Sequence, residues 1–366
     1  MERRKFLRNI GMGMLPLAAG GVMPLRAGVE GNGLTGSESE PKVGRPVRMV
    51  SIGYSRILPL NEIVEHVDRE GAKGADVIVL PELCRGHNKT SQEPLHGPTV
   101  TAMSALAKKH KTYLAVPIDR RDGERRFNTI VLLDRSGKVV SLYNKIFPYW
   151  NEFDVAPFDA HPSVTPGEAA GVYKADFGHI GFATCYDINF SEVWRRLSDK
   201  GAEVVIWPSA YSGGIPLQAY AASYHYYVLS CTEQPDCAVY DITGERLLHG
   251  RGSEVNISRI TLDLDRGIYH ENFNLAKRNK LLKEHPQDVM QEEWLHSEQW
   301  FVLKAKRPGV SARELAHQYG LEELRHYIER SRAWIDKRRG WEFQEKIVYP
   351  GKSLAQLKEI ASEISA

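Results

Sequence analysis

IGFATCYDINFSE, residues 180–192, places a single cysteine between an apolar run and a segment that resembles the start of a helix. The run before Cys185 is typical of a buried strand, and Ser191 is a candidate cap for the following helix. A strand-to-helix turn of this kind exposes a thiol near backbone N–H groups and the positive end of a helix, which favours a thiolate. Cys185 is therefore a candidate nucleophile, although an isolated cysteine after an apolar strand is more often a packing residue.

Two other polar residues also follow apolar runs. Glu82 ends the run VIVLPE (77–82), and Lys145 lies between Val139–Tyr143 and an aromatic stretch, IFPYW. Partial burial of Glu82 would raise its pKa and allow it to act as a general base on a thiol, while a fixed ammonium group stabilises an oxyanion. Considered alone, Glu82 is equally well explained as a solvated loop residue, and Lys145 as a lysine that extends its head group into water.

Together the three segments resemble the signature of the nitrilase (carbon–nitrogen hydrolase) superfamily. CYDINFSE resembles the family pattern C-Y-D-x-[RN]-F-P-E, with Ser191 in place of the usual proline, and VVIWPSA (204–210) resembles the strand end that follows it. The resemblance implies an α/β fold, specifically a four-layer αββα sandwich, with Glu82, Lys145 and Cys185 as the catalytic triad. It also implies that no cofactor is needed and that the protein forms a homodimer or higher homo-oligomer.

The resemblance extends to two supporting residues. Glu152 corresponds to a second glutamate that orients the substrate and the base, with a surface salt bridge as the alternative, and the backbone N–H of Tyr186 would share the oxyanion with Lys145. Tyr186-Asp187 resembles the amidase, ω-amidase and N-carbamoyl-amine hydrolase branches, whereas nitrile hydrolases typically carry Trp-Glu. We therefore predict hydrolysis of a non-peptide amide or carbamoyl bond through a thioester on Cys185. The alternatives are a nitrile hydrolase and a non-catalytic binding protein on the same fold.

The chain divides into four predicted segments. Residues 46–266, in which strand-like and helix-like runs alternate, form the hydrolase domain. Residues 267–366 have helical spacing and predict a mainly helical extension, in which Ser311 and Glu314 form a capping box. The helix pair that begins there resembles a DNA-binding motif. The balanced charge of the chain and the N-terminal export signal described below instead favour an αα-hairpin that packs on the main domain or on a partner subunit.

The first 45 residues predict an exported protein. Residues 1–27 resemble a twin-arginine signal peptide, with Arg3 and Arg4 before Phe-Leu and a weakly apolar stretch. Residues 28–45 are rich in Gly, Ser and Glu and predict a flexible linker. The expected location is the bacterial periplasm or the extracellular space, and the apolar stretch is too short to span a membrane.

Composition narrows the class of ligand. The net charge is +2, with acidic and basic residues mixed along the chain, so we expect no nucleic-acid partner. The sequence lacks CxxC and HExxH, so we expect no metal, and the expected partner is a small-molecule amide or carbamoyl compound. Three aromatic residues near the motifs either line the substrate pocket or belong to the core: Tyr149, Trp150 and Tyr211.

Overall fold

The computed structural model of the protein describes residues 42–55, 58–86, 91–154 and 162–343. The predicted signal peptide and residues 28–41 of the predicted linker lie outside this description, as do residues 344–366 of the extension. Within the described residues, no helix is both long enough and apolar enough to cross a membrane.

Two mixed β-sheets form the centre of the hydrolase domain. The first has strand order β13-β1-β2-β4-β5-β6, with β3 paired to β4, and the second has order β12-β11-β10-β9-β8-β7. The strands of the first sheet are β1 (Pro46–Tyr54), β2 (Val77–Val79), β3 (Glu93–Pro94), β4 (Tyr113–Asp122), β5 (Arg125–Leu133), β6 (Val139–Asn144) and β13 (Val255–Asp263). Those of the second are β7 (Gly171–Ala175), β8 (Gly178–Phe182), β9 (Val204–Ser209), β10 (Tyr227–Thr232), β11 (Asp236–Tyr240) and β12 (Arg246–Arg251).

The sheets pack face to face, and each has helices on its outer face. One apolar cluster lies between the sheets and includes Val79, Ile206 and Leu229. Separate clusters join the outer faces to their helices, which are α1 (Leu60–Gly71) and α2 (Pro98–His110) on the first sheet and α3 (Ser191–Asp199) and α4 (Ile215–Tyr224) on the second. These four layers confirm the predicted αββα sandwich.

The parallel strands determine where the site lies. β1, β2 and β4 run parallel in the first sheet, and β8, β9 and β10 run parallel in the second. Because parallel strands end at the same edge of a sheet, residues that follow β2 and β8 are brought to sheet edges. One local prediction was wrong. Ser191 is the first residue of α3, Phe190 occupies the capping position, and no side-chain hydrogen bond caps this helix.

Within its described residues, 267–343, the extension combines three helices with a small sheet that the sequence analysis missed. Its strands are β14 (Gly267–His270), β15 (Val289–Leu295) and β16 (Trp300–Ala305), and its helices are α5 (Leu275–Glu284), α6 (Ala312–Gln318) and α7 (Leu324–Arg339). Ser311 caps α6 by accepting a hydrogen bond from the Glu314 N–H, as predicted. At the start of α7, Leu324 joins the cluster between the sheets, and Arg325 donates to the carbonyls of Ala202 and His225. The helix pair thus packs on the hydrolase domain.

Glu203 connects this extension to the hydrolase domain by accepting hydrogen bonds from Arg45 and from Nη1 of Arg313 in α6. We expect Glu203→Ala to lower the free energy of unfolding by about 1 kcal/mol, because it removes the carboxylate that pairs with Arg45 and one of the two carboxylates that pair with Arg313. Urea denaturation measures the change, and Glu245→Ala, at an exposed position, is the control. Equal midpoints for the two variants would contradict this role of Glu203.

Candidate active site

Lys145 lies at the centre of a buried cluster of polar side chains. It directly follows β6, and its backbone N–H donates to the Asn128 carbonyl of β5 at 2.9 Å. Its Nζ donates to Oε1 of Glu82 at 2.8 Å and to Oε2 of Glu152 at 2.5 Å, and the residue is 1% exposed. Burial opposes the charge, but the carboxylates of Glu82 and Glu152 outweigh it and raise the pKa of Lys145. The ammonium group is therefore a fixed positive charge.

Glu152 belongs to this buried cluster, so it does not form the surface salt bridge that was the alternative for it. It ends a short 3₁₀ turn (Trp150–Glu152), and its Oε2 also accepts from the Tyr149 N–H at 2.7 Å. The residue is 8% exposed. The carboxylate therefore has a single orientation, towards Lys145.

Asn128 is a member of the cluster that the sequence analysis missed. Its Nδ2 donates to Oε1 of Glu82 and to Oε1 of Glu152, both at 2.8 Å. The amide therefore holds two like-charged carboxylates at a set spacing, with Lys145 on their other side. The available signal was an asparagine inside the otherwise apolar run FNTIVLL (127–133), at a position that faces the opposite sheet.

Glu82 is ionised in this environment. Its Oε2 accepts from the Ala210 N–H at 3.0 Å, in addition to the two bonds at Oε1. Burial raises the pKa of Glu82, but the charge and hydrogen bond of Lys145 and the bonds from Cys185 and Asn128 outweigh burial and lower it. The expectation of a raised pKa was therefore wrong, because it did not include the adjacent ammonium group. An ionised carboxylate is already in the state that a general base requires.

Cys185 follows the second sheet's β8 and begins a 3₁₀ turn, Cys185–Asn189. Its φ of 45° lies in the left-handed region, which non-glycine residues rarely adopt outside constrained sites. The Trp207 indole N–H donates to its carbonyl at 3.2 Å and helps to hold this conformation. Burial and the charge of Glu82 raise the pKa of Cys185, with Lys145 opposing. The resting residue is thus a thiol and not the thiolate that the sequence suggested, so it needs a base.

Asp187 joins the cysteine turn to the lysine strand. Its Oδ2 accepts from the Tyr143 hydroxyl of β6 at 2.6 Å and from the Thr184 N–H at 2.9 Å. Its Oδ1 accepts from the Phe147 N–H at 2.9 Å. One carboxylate therefore fixes the positions of residues on both sides of Lys145 relative to Cys185, a positioning role that the sequence analysis did not assign.

The aromatic residues are partly exposed, and two of them adjoin the cluster: the Tyr149 N–H donates to Glu152, and Tyr211 follows Ala210, whose N–H donates to Glu82. Tyr149, Trp150 and Tyr211 are 43%, 38% and 40% exposed, so none of them is a core residue. The Tyr186 ring packs edge-on against Tyr149, with centroids 5.1 Å apart. Burial and then the charge of Cys185 raise the pKa of Tyr211 to about 12, so Tyr211 lies near the thiol.

Comparison with known proteins identifies the family of the chain. Residues 59–267, more than half of the chain, match the family model described as carbon–nitrogen hydrolase. The chain belongs to the carbon–nitrogen hydrolase family. The matched range contains all of the clustered residues described above.

Individual curated proteins resemble parts of the chain. A hydrolase of Schizosaccharomyces pombe is 34% identical over 157 residues, 39% of this chain and 48% of that protein. The chloroplastic omega-amidase of Arabidopsis thaliana is 26% identical over 211 residues, 52% of this chain and 57% of that protein. The chain thus spans about half the length of the curated relatives it matches.

Two solved structures share the fold. Nit3 of Saccharomyces cerevisiae, a member of branch 10 of the nitrilase superfamily, has a TM-score of 0.51 at 20% identity, covering 64% of this chain and 95% of its own. A variant of the amidase from Nesterenkonia sp. AN1, with the acetamide moiety of fluoroacetamide attached to its active-site cysteine, has a TM-score of 0.51 at 21% identity, covering 61% and 92%.

We expect iodoacetamide to alkylate Cys185 about tenfold faster than the other cysteines, because Cys185 is 8% exposed and Cys84, Cys231 and Cys237 are at most 1% exposed. The rate should still be rising at about pH 9.5, because a raised pKa keeps the thiol protonated at lower pH. Peptide mass spectrometry after timed quenching measures the alkylation rate at each cysteine and its dependence on pH. Cys185→Ser is the control that shows the background signal of the peptide. Equal rates at all four cysteines would show that Cys185 is not accessible.

Proposed function

We propose that the protein hydrolyses a non-peptide amide or carbamoyl bond through a covalent thioester on Cys185. The observation that carries this proposal is that Cys185 lies beside an ionised Glu82, which is itself bonded to Lys145. All four cysteines lie in the described residues, and Cys185 is the most exposed of them. A protonated thiol, an adjacent carboxylate and a fixed cation can supply the nucleophile, the general base and the charge stabilisation for acyl transfer to sulfur.

In the first half-reaction, Glu82 takes the proton of the Cys185 thiol and the thiolate attacks the substrate carbonyl carbon. Lys145 and the Tyr186 N–H stabilise the oxyanion. Glu82 then gives its proton to the leaving nitrogen, the carbon–nitrogen bond breaks, and ammonia or an amine departs. The thioester remains on Cys185.

In the second half-reaction, Glu82 takes a proton from water and the resulting hydroxide attacks the thioester carbon. The carbon–sulfur bond breaks, the acid is released, and the thiolate recovers its proton from Glu82. Glu152 and Asn128 keep Glu82 oriented through both steps because each is hydrogen-bonded within the same cluster. The chemistry uses only groups of this chain and water, and needs no cofactor.

Two features favour an amide over a nitrile as substrate. Tyr186-Asp187 resembles the amidase branches, and relatives include proteins named omega-amidase. A nitrile hydrolase with the same residues is the second candidate. The proposal also includes export by the twin-arginine route and assembly as a homodimer or higher homo-oligomer, as the sequence predicts.

A panel of amides, carbamoyl amines and nitriles, assayed for ammonia release, tests the function. We expect turnover of an amide or carbamoyl compound, and we expect Cys185→Ala and Glu82→Gln to lower kcat by at least about 10³ because each removes a bond-forming or proton-transferring group. Hydroxylamine added to the assay should divert the acyl group to a hydroxamate, because it competes with water for the thioester.

The control variants are Cys237→Ala and Glu245→Gln, which change the same residue types away from the cluster and should retain turnover. Preferred turnover of nitriles would support the second candidate. Full activity of Cys185→Ala would overturn the mechanism, and the absence of turnover on the whole panel would favour a non-catalytic binding protein.

A further inference from the structure

Glu233 lies directly beyond the second sheet's strand β10, next to the residues that hold Glu82. Thr232 pairs with Ser209 in the parallel ladder of β10 and β9, and the Glu233 N–H continues the ladder by donating to the Ser209 carbonyl at 2.9 Å. Glu233 is therefore beside Ala210, whose N–H donates to Glu82. Its place is at the same strand ends as the proposed catalytic residues.

Glu233 lies close to Glu82, which belongs to the other sheet. Leu229 and Cys231 of β10 both belong to the cluster between the sheets. Glu233 is one residue beyond the end of β10, near enough to Glu82 for the two charges to repel. The Cys231 thiol reaches across to the Val79 carbonyl at 3.3 Å, and Glu82 follows Val79 by three residues. Glu233 and Glu82 thus approach each other from opposite sheets.

The Glu233 carboxylate has no counter-charge among the residues that the structure describes. Within the described residues, its side chain has neither a hydrogen-bond partner nor an ion-pair partner, although the residue is half-buried. Burial and then repulsion by Glu82 raise the pKa of Glu233 to about 7. By contrast, Glu82, Glu152 and Asp187 each accept at least three hydrogen bonds.

Counting charges shows what the site lacks. Lys145 is shared by Glu82 and Glu152, which leaves one negative charge in excess, and an ionised Glu233 adds another. A second unused acceptor lies in the same cluster, since the buried Oδ1 of Asn128 has no hydrogen-bond partner in the described part of the chain. Both unused groups are acceptors, so the ligand that completes the site is a donor and a cation.

We propose that Glu233 pairs with a positively charged amine on the substrate, so that the preferred substrates are amides or carbamoyl compounds that carry a cationic group. This inference rests on the proposed function for the reaction itself, but the pairing of Glu233 with a cation beside Cys185 is measurable without turnover. The amine and the scissile carbonyl then lie on one short molecule, held at its two ends by Glu233 and by Lys145.

The first test measures charge preference at Cys185 with three methanethiosulfonates that differ in their ethyl substituent: 2-aminoethyl, 2-hydroxyethyl and 2-sulfonatoethyl. Rates at about pH 8, where Glu233 is mostly ionised, are divided by those of a small free thiol. We expect the normalised rate of the cationic reagent to exceed that of the neutral reagent by about fivefold. Glu233→Gln should remove most of this difference. Glu245→Gln should leave the ratio as it is.

The second test compares matched amides in which the terminal group alone changes. The terminal group is a cation in 4-aminobutanamide, a methyl group in pentanamide and an anion in glutaramate. For each compound, one homologue that is a methylene shorter and one that is a methylene longer show which distance between the terminal group and the amide fits best. We expect kcat/KM to favour the aminoamide by about tenfold, chiefly through KM. Glu233→Gln should equalise the cationic and neutral amides, and Glu233→Lys should favour the anion, a reversal that a purely structural role would not produce.

The two tests separate the two claims. Equal thiosulfonate rates for cation and neutral reagent, or a preference that survives Glu233→Gln, would overturn the role of Glu233. A charge preference at Cys185 that depends on Glu233, together with no turnover of any amide, would overturn the proposed reaction and leave Glu233 as a cation-binding residue.

Discussion

A lysine ammonium group shared by two buried carboxylates is the interaction on which the rest of the site depends. Lys145 is 1% exposed and bonds both Glu82 and Glu152, and Asn128 bonds the same two carboxylates. Removal of either charge type would leave an unpaired ion in a buried site, which typically costs several kcal/mol. Glu82 comes from one segment and Lys145 and Glu152 from another, so the fold must bring the two segments together.

The nucleophile depends on a second set of constraints. Asp187 connects the Cys185 turn to Tyr143 and Phe147, which flank Lys145, and this connection sets the thiol against the carboxylate cluster. The same cluster that keeps Glu82 ionised also raises the pKa of Cys185, so the proton starts on sulfur and the base starts free. A resting thiol is also less easily oxidised than a thiolate, which suits the exported location that the sequence predicts.

The sequence predicts the charged members of the site better than the neutral ones. Glu82, Lys145 and Cys185 are visible because each interrupts or ends an apolar run and because their segments resemble a known family. Asn128 was missed because an asparagine within a strand has many structural explanations, and its two partners are 46 and 24 residues away in the chain. The pKa directions of Glu82 and Cys185 were also wrong, since they depend on neighbours that only the fold supplies. The small sheet of the extension was missed because its strand Val289–Leu295 is rich in polar residues.

The most direct measurement is the mass of the enzyme during turnover. A turned-over amide is mixed with the protein, quenched in acid within one turnover, and digested for peptide mass spectrometry. The account predicts that the peptide containing Cys185 gains the mass of the acyl group as a thioester, which neutral hydroxylamine removes. Steady turnover with no acyl group on Cys185, or with the acyl group on another residue, would contradict it.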